Sequence, residues 1–197
     1  MNILLASQNQ GKLREFAALL EGVATVLTPS ELGLFLEVEE SGASFAENAE
    51  RKARAFAKAS KLPSLADDSG LCVDALQGAP GVHSARYASS DAQRIARLLE
   101  ELKDFSGEGR AAHFSCVLCL AFPDGRVFFS KGECHGKIAH APRGSHGFGY
   151  DPIFELANGK TMAELTRDEK AQVSHRGHAA LHMRAQLTIF AGLTGLL

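Results

Sequence analysis

The stretch Ala66-Asp67-Asp68-Ser69-Gly70-Leu71 organises this chain, because two adjacent carboxylates stand between a short apolar run and a Ser-Gly pair. We interpret the apolar run as the entry of a strand and the Ser-Gly pair as a turn, which is where α/β proteins place reacting groups. Neighbouring strand residues point to opposite faces, so the pattern predicts different roles for Asp67 and Asp68. The plainer alternative is an Asx-turn, in which both carboxylates only accept hydrogen bonds from local backbone N–H groups.

The composition is that of an ordinary globular protein. The 197 residues are 45% hydrophobic and 22% charged, with a formal net charge of −2, and they predict a single domain, 1–197, with two lobes around a cleft. The small negative charge argues against nucleic acid or an anionic membrane as a partner, so phosphate binding requires a local cluster of Lys and Arg. No apolar run approaches the ~20 residues that span a bilayer. Without a recognisable leader pattern, a cytoplasmic protein is the expectation.

The cysteines and histidines do not predict a metal site. Cys116 and Cys119 have the spacing of a metal or redox pair, but they fall in a run typical of a strand. Residues three apart on a strand face opposite sides, so we expect buried thiols in the core. His178 and His182 are four apart on a predicted helix, but no carboxylate accompanies them as in a zinc protease. We interpret them as surface histidines.

A phosphate site is predicted near the N-terminus. The apolar strand at residues 2–6 is followed by the polar loop Ser7-Gln8-Asn9-Gln10-Gly11-Lys12 and then by an amphipathic helix. Free N–H groups and the helix dipole at such a helix start favour an anion. The spacing is similar to a P-loop, but Ala6 replaces the first glycine and Leu13 replaces the hydroxyl residue that would bind magnesium. The chain is therefore not predicted to be a P-loop NTPase.

Two further stretches place charge where such a site could use it. Leu36-Glu37-Val38-Glu39-Glu40 alternates and ends in acids, which indicates a solvated edge or, alternatively, a divalent cation site. Ser44-Phe45-Ala46-Glu47 is a capping box that opens an alanine-rich helix. Asn48 and Lys52 share one face of that helix. If that face lines the cleft, Lys52 adds positive charge opposite Asp68.

The second half of the chain predicts a hairpin. Apolar residues alternate over 111–122, and Pro123-Asp124-Gly125 then predicts a turn that returns through Val127-Phe128-Phe129. An antiparallel hairpin beside the strand-helix unit at the N-terminus indicates a mixed sheet.

The glycine-aromatic loop, residues 144–151, reads Gly-Ser-His-Gly-Phe-Gly-Tyr-Asp. Its glycines allow the backbone to pass close to a flat ligand, and Phe148 or Tyr150 could stack on a base. The alternative is a surface loop whose aromatic side chains fill pockets in the core. A second capping box, Thr166-Arg167-Asp168-Glu169, opens a short helix that carries Lys170. Ser174-His175-Arg176-Gly177 is predicted to interrupt that helix, and a last helix follows.

Taken together, these motifs resemble the Ham1/RdgB-type inosine triphosphate pyrophosphatases, which hydrolyse dITP, ITP and XTP to the monophosphate and pyrophosphate. One visible departure is Ser7-Gln8, where bacterial members commonly read Thr-Gly. The resemblance implies an α/β fold with a mixed central β-sheet flanked by helices, two lobes with the active-site cleft between them, and a homodimer. The matching stretches follow the family order from end to end: 7–12, 44–49 with Lys52, 66–71, 78–81 through 84–87, 147–152, and Lys170 with 174–176.

The resemblance also implies roles for individual residues. Asp68 is the expected general base and, with Glu39, the expected Mg²⁺ site; the distance to the following glycine favours Glu39, with Glu40 as the alternative. The expected triphosphate ligands are Lys12, Lys52 and Lys170. The expected base-reading residues are Phe148, Gly149, Tyr150, Asp151, His175 and Arg176. The other expected substrate contacts are Ser7, Gln8, Asn9, Gln10, Gly11 and Ser69.

The expected function is therefore removal of noncanonical purine nucleotides from the nucleotide pool. Hypoxanthine and xanthine present a 6-keto acceptor where adenine has an amino donor, so a donor such as Arg176 or a backbone N–H would discriminate against adenine. Two alternatives remain open. One is a Maf-like pyrophosphatase that acts on other modified nucleotides. The other is a nucleotide-sensing or RNA-binding module without catalysis, although the acidic charge argues against RNA.

Overall fold

The computed structural model describes residues 1–193, with side chains described up to residue 190. Six strands form one sheet in the order β2-β1-β3-β4-β5-β6. Their bounds are β1 Asn2–Leu5, β2 Thr25–Leu27, β3 Ser64–Val73, β4 Ala111–Ala121, β5 Val127–Ile138 and β6 Phe154–Glu155. The α-helices of the described chain are α1 Gln10–Leu19, α2 Phe45–Ser60, α3 Asp91–Glu101, α4 Arg167–Val173 and α5 His175–Leu193. Over the described range, every helix is too short or too polar to cross a membrane.

The sheet is mixed, as the predicted hairpin indicates. β1 runs parallel to both β2 and β3, whereas β5 and β6 are antiparallel, with Lys137 opposite Glu155. β4 and β5 are joined by a short turn in which the Phe122 N–H donates to the Arg126 carbonyl over 2.9 Å. Gly125 in this turn has a φ of +96°, a conformation that glycine adopts without strain. The predicted α/β class with a mixed central sheet is confirmed.

The chain divides into two compact units. Within the described residues, the first contains 1–68, 116–132 and 176–193, and the second contains 69–115 and 133–175. β3, β4 and β5 each begin in one unit and end in the other, so the boundaries fall inside strands and not in linkers.

The first unit has helices on both faces of its strands. Alternation along β1 sends Ile3 and Leu5 into the cluster with α1 and α5, and sends Leu4 into the cluster with α2. Cys116 lies in the first cluster and Cys119 in the second, so their predicted opposite orientation is confirmed. Burial raises the pKa of the Cys119 thiol to about 12, which keeps it protonated at neutral pH.

The second unit has its own core. Leu98 of α3 and the C-cap residue Leu102 pack in one cluster with Leu71 of β3 and Phe114 of β4. The same cluster takes in buried side chains from the end of the glycine-aromatic loop and beyond, namely Tyr150, Ile153, Phe154, Met162 and Leu165. This loop is therefore attached to a packed core at its C-terminal end.

Asp67 and Asp68 lie in the middle of a strand and not at a turn. β3 continues without a break to Val73, whereas the sequence pattern predicted that the strand ends at Ser69-Gly70. That prediction, and the Asx-turn alternative with it, is wrong. The physical reason is that β3 is an inner strand of the sheet, paired with β1 at Ser64 and Leu65 and with β4 as its other neighbour, and this strand pairing outweighs the local turn preference of the Ser-Gly pair.

Candidate active site

Asp67 is a buried anion that contacts two cations. Its side chain is 1% exposed, and its Oδ2 lies 2.8 Å from Lys12 Nζ and 3.6 Å from Arg176 Nε. Burial by itself raises the pKa of Asp67, but the charges of Lys12, Arg176 and Lys52 together outweigh it and hold that pKa well below its usual range. Asp67 therefore connects the start of α1 with the start of α5.

Asp68 has a different environment, as its neighbouring position on a strand predicts. Asn48 Nδ2 donates to Asp68 Oδ2 over 3.0 Å, and Lys52 Nζ lies 3.8 Å from Oδ1. Burial raises the pKa of Asp68, and Lys52 and Asn48 only partly oppose that rise. The carboxylate is therefore held in one orientation and is a stronger base than an ordinary aspartate.

Lys52 is surrounded by oxygen atoms of the first unit. Its Nζ lies 2.7 Å from Glu40 Oε1 and donates to the Asp67 carbonyl over 2.6 Å. Burial lowers the pKa of Lys52, but the charges of Asp67, Asp68 and Glu40 raise it above its usual value. The ammonium therefore stays charged beside Asp68, on the helix face that the sequence predicted.

The acid beside Lys52 is Glu40, while Glu39 is exposed. Residues 34–40 belong to no helix or strand, but their burial alternates, and Leu36 and Val38 pack against the cluster beneath α2. Glu40 continues that alternation on the inner side, so its carboxylate reaches Lys52, and Glu39 points to solvent. The distance to the following glycine, which favoured Glu39, does not reveal this alternation.

The polar loop before α1 is closed by its own side chains. Asn9 caps the helix, and its Oδ1 accepts from the N–H groups of Gly11 at 2.9 Å and Lys12 at 3.1 Å. Ser7 Oγ accepts from the Asn9 N–H over 3.2 Å. Two of the amides expected to be available for an anion thus already have an acceptor. The exposed members of the loop are Gln8, Asn9 and Gln10.

Glu15 is a residue near the site that sequence reasoning missed. Its Oε2 accepts from Arg176 Nη1 over 3.1 Å, so the 6% exposed Arg176 lies between Glu15 and Asp67. The available signal was its position three residues after Lys12, which places both on one side of α1. The break between α4 and α5 is shorter than predicted. The sequence predicted a break over residues 174–177, but α5 already begins at His175, so only Ser174 separates the two helices.

We expect Asp67→Asn to lower the free energy of unfolding by about 3 kcal/mol, because the substitution leaves Lys12 and Arg176 beside a neutral side chain. The folded pKa of Asp67 is lower than its unfolded value of about 3.9. Its contribution is therefore present above pH ~4 and is lost as the pH falls toward the folded pKa. Urea unfolding at pH 7 and at pH 3 measures it: the difference from wild type should shrink at pH 3.

Asp124→Asn is a matched control, because Asp124 is an exposed carboxylate 2.7 Å from Arg126. Exposed pairs of this kind contribute little, so this variant should unfold nearly as the wild type does. Equal losses in both variants would contradict a structural role for the buried pair.

In the second unit, buried charges hold the glycine-aromatic loop. Asp151 Oδ2 accepts from the Phe148 N–H over 2.9 Å and from Lys170 Nζ over 2.6 Å. Lys170 Nζ also lies 5.1 Å from the centroid of the Phe148 ring. A Cβ at Gly147 would lie 2.0 Å from Asp151 Oδ2, so this position requires glycine. Lys170, an expected triphosphate ligand, is thus bonded to the loop.

The two aromatic residues of the loop differ in exposure. Tyr150 is 4% exposed and packs in the core, where its hydroxyl donates to the Ser84 carbonyl over 3.0 Å, while Phe148 remains half-buried. The alternative that aromatic side chains fill core pockets therefore holds for Tyr150. His175 is 2% exposed and stacks on Phe114 with ring centroids 4.6 Å apart, and Ser69 is half-buried on β3.

Two carboxylates of the first unit, Glu40 and Asp68, suit a hard cation such as Mg²⁺ that takes its other ligands from a substrate. Among the residues that the structure describes, no group of three His, Cys, Asp or Glu side chains is arranged to hold a metal by itself. Glu40 and Asp68 approach the same ammonium, at 2.7 Å and 3.8 Å. Two carboxylates with substrate phosphates are a usual Mg²⁺ ligand set. His182 is exposed, and its Nδ1 lies 3.2 Å from the Lys131 carbonyl.

Comparison with known proteins assigns the family. A sequence model described as the Ham1 family matches residues 3–186. The chain belongs to the Ham1 family. The dITP/XTP pyrophosphatase of Synechococcus sp. (strain CC9311) is 51% identical to this Ham1 chain over 94% of its length and 89% of the relative's. The dITP/XTP pyrophosphatase of Geobacter sulfurreducens is 48% identical over 94% and 96%.

Solved structures of Ham1 proteins have the same fold. The Ham1 protein of Coxiella burnetii is 43% identical and superposes with a TM-score of 0.87, covering 95% of this chain and 98% of that protein. The Ham1 protein of Staphylococcus aureus gives a TM-score of 0.85 at 43% identity and the same coverage. The resemblance inferred from the ordered motifs is confirmed.

Proposed function

We propose that this Ham1 protein is a nucleoside triphosphate pyrophosphatase that converts dITP, ITP and XTP to the monophosphate and pyrophosphate. The observation that carries the proposal is Asp68, a buried carboxylate with a raised pKa that Asn48 orients and that lies beside Lys52 and Glu40. The name dITP/XTP pyrophosphatase, which the curated relatives carry, supports the substrate class.

The proposed reaction is attack of water on the α-phosphorus. A bond forms between the water oxygen and the α-phosphorus, and the bond from that phosphorus to the bridging oxygen breaks. Pyrophosphate leaves with the electron pair, and Asp68 accepts the proton of the water. The raised pKa of Asp68 makes it a more effective proton acceptor near neutral pH. Lys12 and Lys52 stabilise the charge that develops on the leaving pyrophosphate.

We propose Mg²⁺ as the cofactor, with Asp68 and Glu40 as the residues that hold it. This replaces Glu39, since the Glu39 side chain is exposed and Glu40 shares Lys52 with Asp68. When bound, the ion neutralises phosphate oxygens and lowers the pKa of a nearby water. The chain's own contribution is to hold two carboxylates at one place and to keep the Lys52 ammonium charged beside them.

Base recognition is assigned to two kinds of contact. The half-buried ring of Phe148 can stack on a purine. The guanidinium of Arg176, which Glu15 and Asp67 hold, can donate to a 6-keto oxygen. We propose that Lys170 contributes to base binding indirectly. Its ammonium donates a hydrogen bond to Asp151 and so helps to hold the loop that carries Phe148.

A nucleotide panel with pyrophosphate detection tests the function. We expect kcat/KM for dITP and XTP to exceed that for dATP by at least about 10³-fold, because a donor that binds a 6-keto oxygen would face an amino group in adenine. The value for dGTP, which also has a 6-keto group, should lie between. Orthophosphate as the sole product would contradict the reaction. A preference for modified pyrimidines would indicate the Maf-like alternative, and dITP binding without hydrolysis would indicate a binding module.

We also propose that the protein acts as a homodimer in the cytoplasm, on free nucleotides and not on nucleic acid. The dimer rests on the resemblance to the family. The substrate preference rests on the net charge of −2, which provides no basic field for nucleic acid.

A further inference from the structure

We propose that Asp91 is a positioning residue that sets the orientation of the glycine-aromatic loop for base binding. Asp91 is the first residue of α3 and is 58 residues away from Gly149 of the loop in sequence. The inference rests on the proposed base-stacking role of Phe148.

The two carboxylate oxygens of Asp91 have separate partners. Oδ2 accepts from the backbone N–H of Gly149 over 2.8 Å. Oδ1 accepts from Arg94 Nη1 over 2.5 Å, and Arg94 Nε donates to the Ala88 carbonyl over 3.1 Å. Arg94 therefore fixes the carboxylate on one side, and the carboxylate fixes the loop on the other. Hydrogen bonds to an ionised acceptor are among the stronger ones in proteins.

Gly149 is a flexible point of the loop, and the hydrogen bond to Asp91 restrains it. Its φ is +62°, and as a glycine it has no side chain that restricts its backbone. The residues on either side are held by others, since Asp151 accepts from the Phe148 N–H and Ser84 accepts from the Tyr150 hydroxyl. The bond from Asp91 thus restrains the peptide that directly follows Phe148. The direction of the Phe148 ring depends on this peptide.

A purely structural role for Asp91 would have different consequences. An acidic residue in the first turn of a helix and an i,i+3 pair with Arg94 both stabilise α3. If Asp91 did only this, its loss would lower stability without changing recognition of the base. A positioning role instead predicts weaker binding of substrates that carry a base, and unchanged binding of inorganic tripolyphosphate.

Steady-state kinetics of Asp91→Ala in the full chain tests the proposal. We expect the KM for dITP to rise about tenfold, with kcat within about twofold of wild type, because the loop is no longer held at Gly149. The inhibition constant of inorganic tripolyphosphate should not change. Asp91→Asn keeps an acceptor oxygen for the Gly149 N–H, so it should restore KM to within about threefold of wild type. Glu100→Ala is the matched control, since Glu100 lies on the same helix and pairs with Lys103 at 2.6 Å.

Phe148→Ala separates this inference from the proposed function. If Phe148→Ala raises the KM for dITP and Asp91→Ala does not, the Asp91 proposal is wrong and the stacking role stands. If Phe148→Ala leaves this KM unchanged, the loop does not bind the base and both proposals are overturned. A rise in the tripolyphosphate inhibition constant equal to the rise in KM would show a general loss of structure and would also overturn the positioning role.

Discussion

Asp68→Asn is expected to lower kcat for dITP by about 10³-fold, while the protein remains folded. Asparagine has nearly the same shape as aspartate and can still accept the hydrogen bond from Asn48, but its amide cannot take a proton from water. The burial that raises the pKa of Asp68 is part of the reason for the large effect, because it makes the lost group an unusually good base for an aspartate. Single-turnover measurement of dIMP formation, with circular dichroism as the folding control, gives the result.

Asp67→Asn is the natural comparison, because it changes the adjacent residue in the same way. Asp67 faces Lys12 and Arg176 and accepts no proton in the proposed reaction. We therefore expect a loss of about tenfold in kcat, through the displaced cations, together with the lower stability described above. The assignment of Asp68 as the base would be contradicted if kcat for Asp68→Asn equalled that of wild type. It would also be contradicted if Asp67→Asn lowered kcat more than Asp68→Asn does.

Removal of Mg²⁺ by EDTA is expected to lower turnover of dITP by at least about 10³-fold, and added Mg²⁺ should restore it. The triphosphate brings several negative charges toward two carboxylates, and Lys12 and Lys52 are already paired with acids of the protein. Because these two lysines already neutralise carboxylates of the protein, they cannot also neutralise all of the charge on the triphosphate. Turnover that is unchanged in EDTA would contradict the proposed cofactor.

Glu40→Gln and Glu39→Gln form a matched pair that identifies the second carboxylate of the metal site. We expect Glu40→Gln to raise the Mg²⁺ concentration for half-maximal activity by about tenfold, because it removes one of two anionic ligands. Glu39→Gln should leave that concentration unchanged, since the Glu39 side chain is exposed. The reverse result would restore Glu39, which the spacing to the following glycine favoured.

The sequence by itself determined the features that depend on local periodicity. Alternation over residues 111–122 predicted the hairpin and the mixed sheet, and it placed Cys116 and Cys119 on opposite faces. The same two-residue alternation predicted that Asp67 and Asp68 have different environments. These features are local, because the pleat of a strand sets the face of each side chain whatever lies opposite.

Only the tertiary structure decided which partner each side chain meets. Glu15 and Arg176 are 161 residues apart, and Asp91 and Gly149 are 58 apart, so no spacing along the chain indicates either contact. Lys170 meets Asp151 for the same reason. Ser69-Gly70 has the local chemistry of a turn, but β3 continues through it as an inner strand of the sheet, so long-range strand pairing overrides the local preference. The position of Asp68 in the middle of a strand, beside Asn48, Lys52 and Glu40, follows from that long-range pairing.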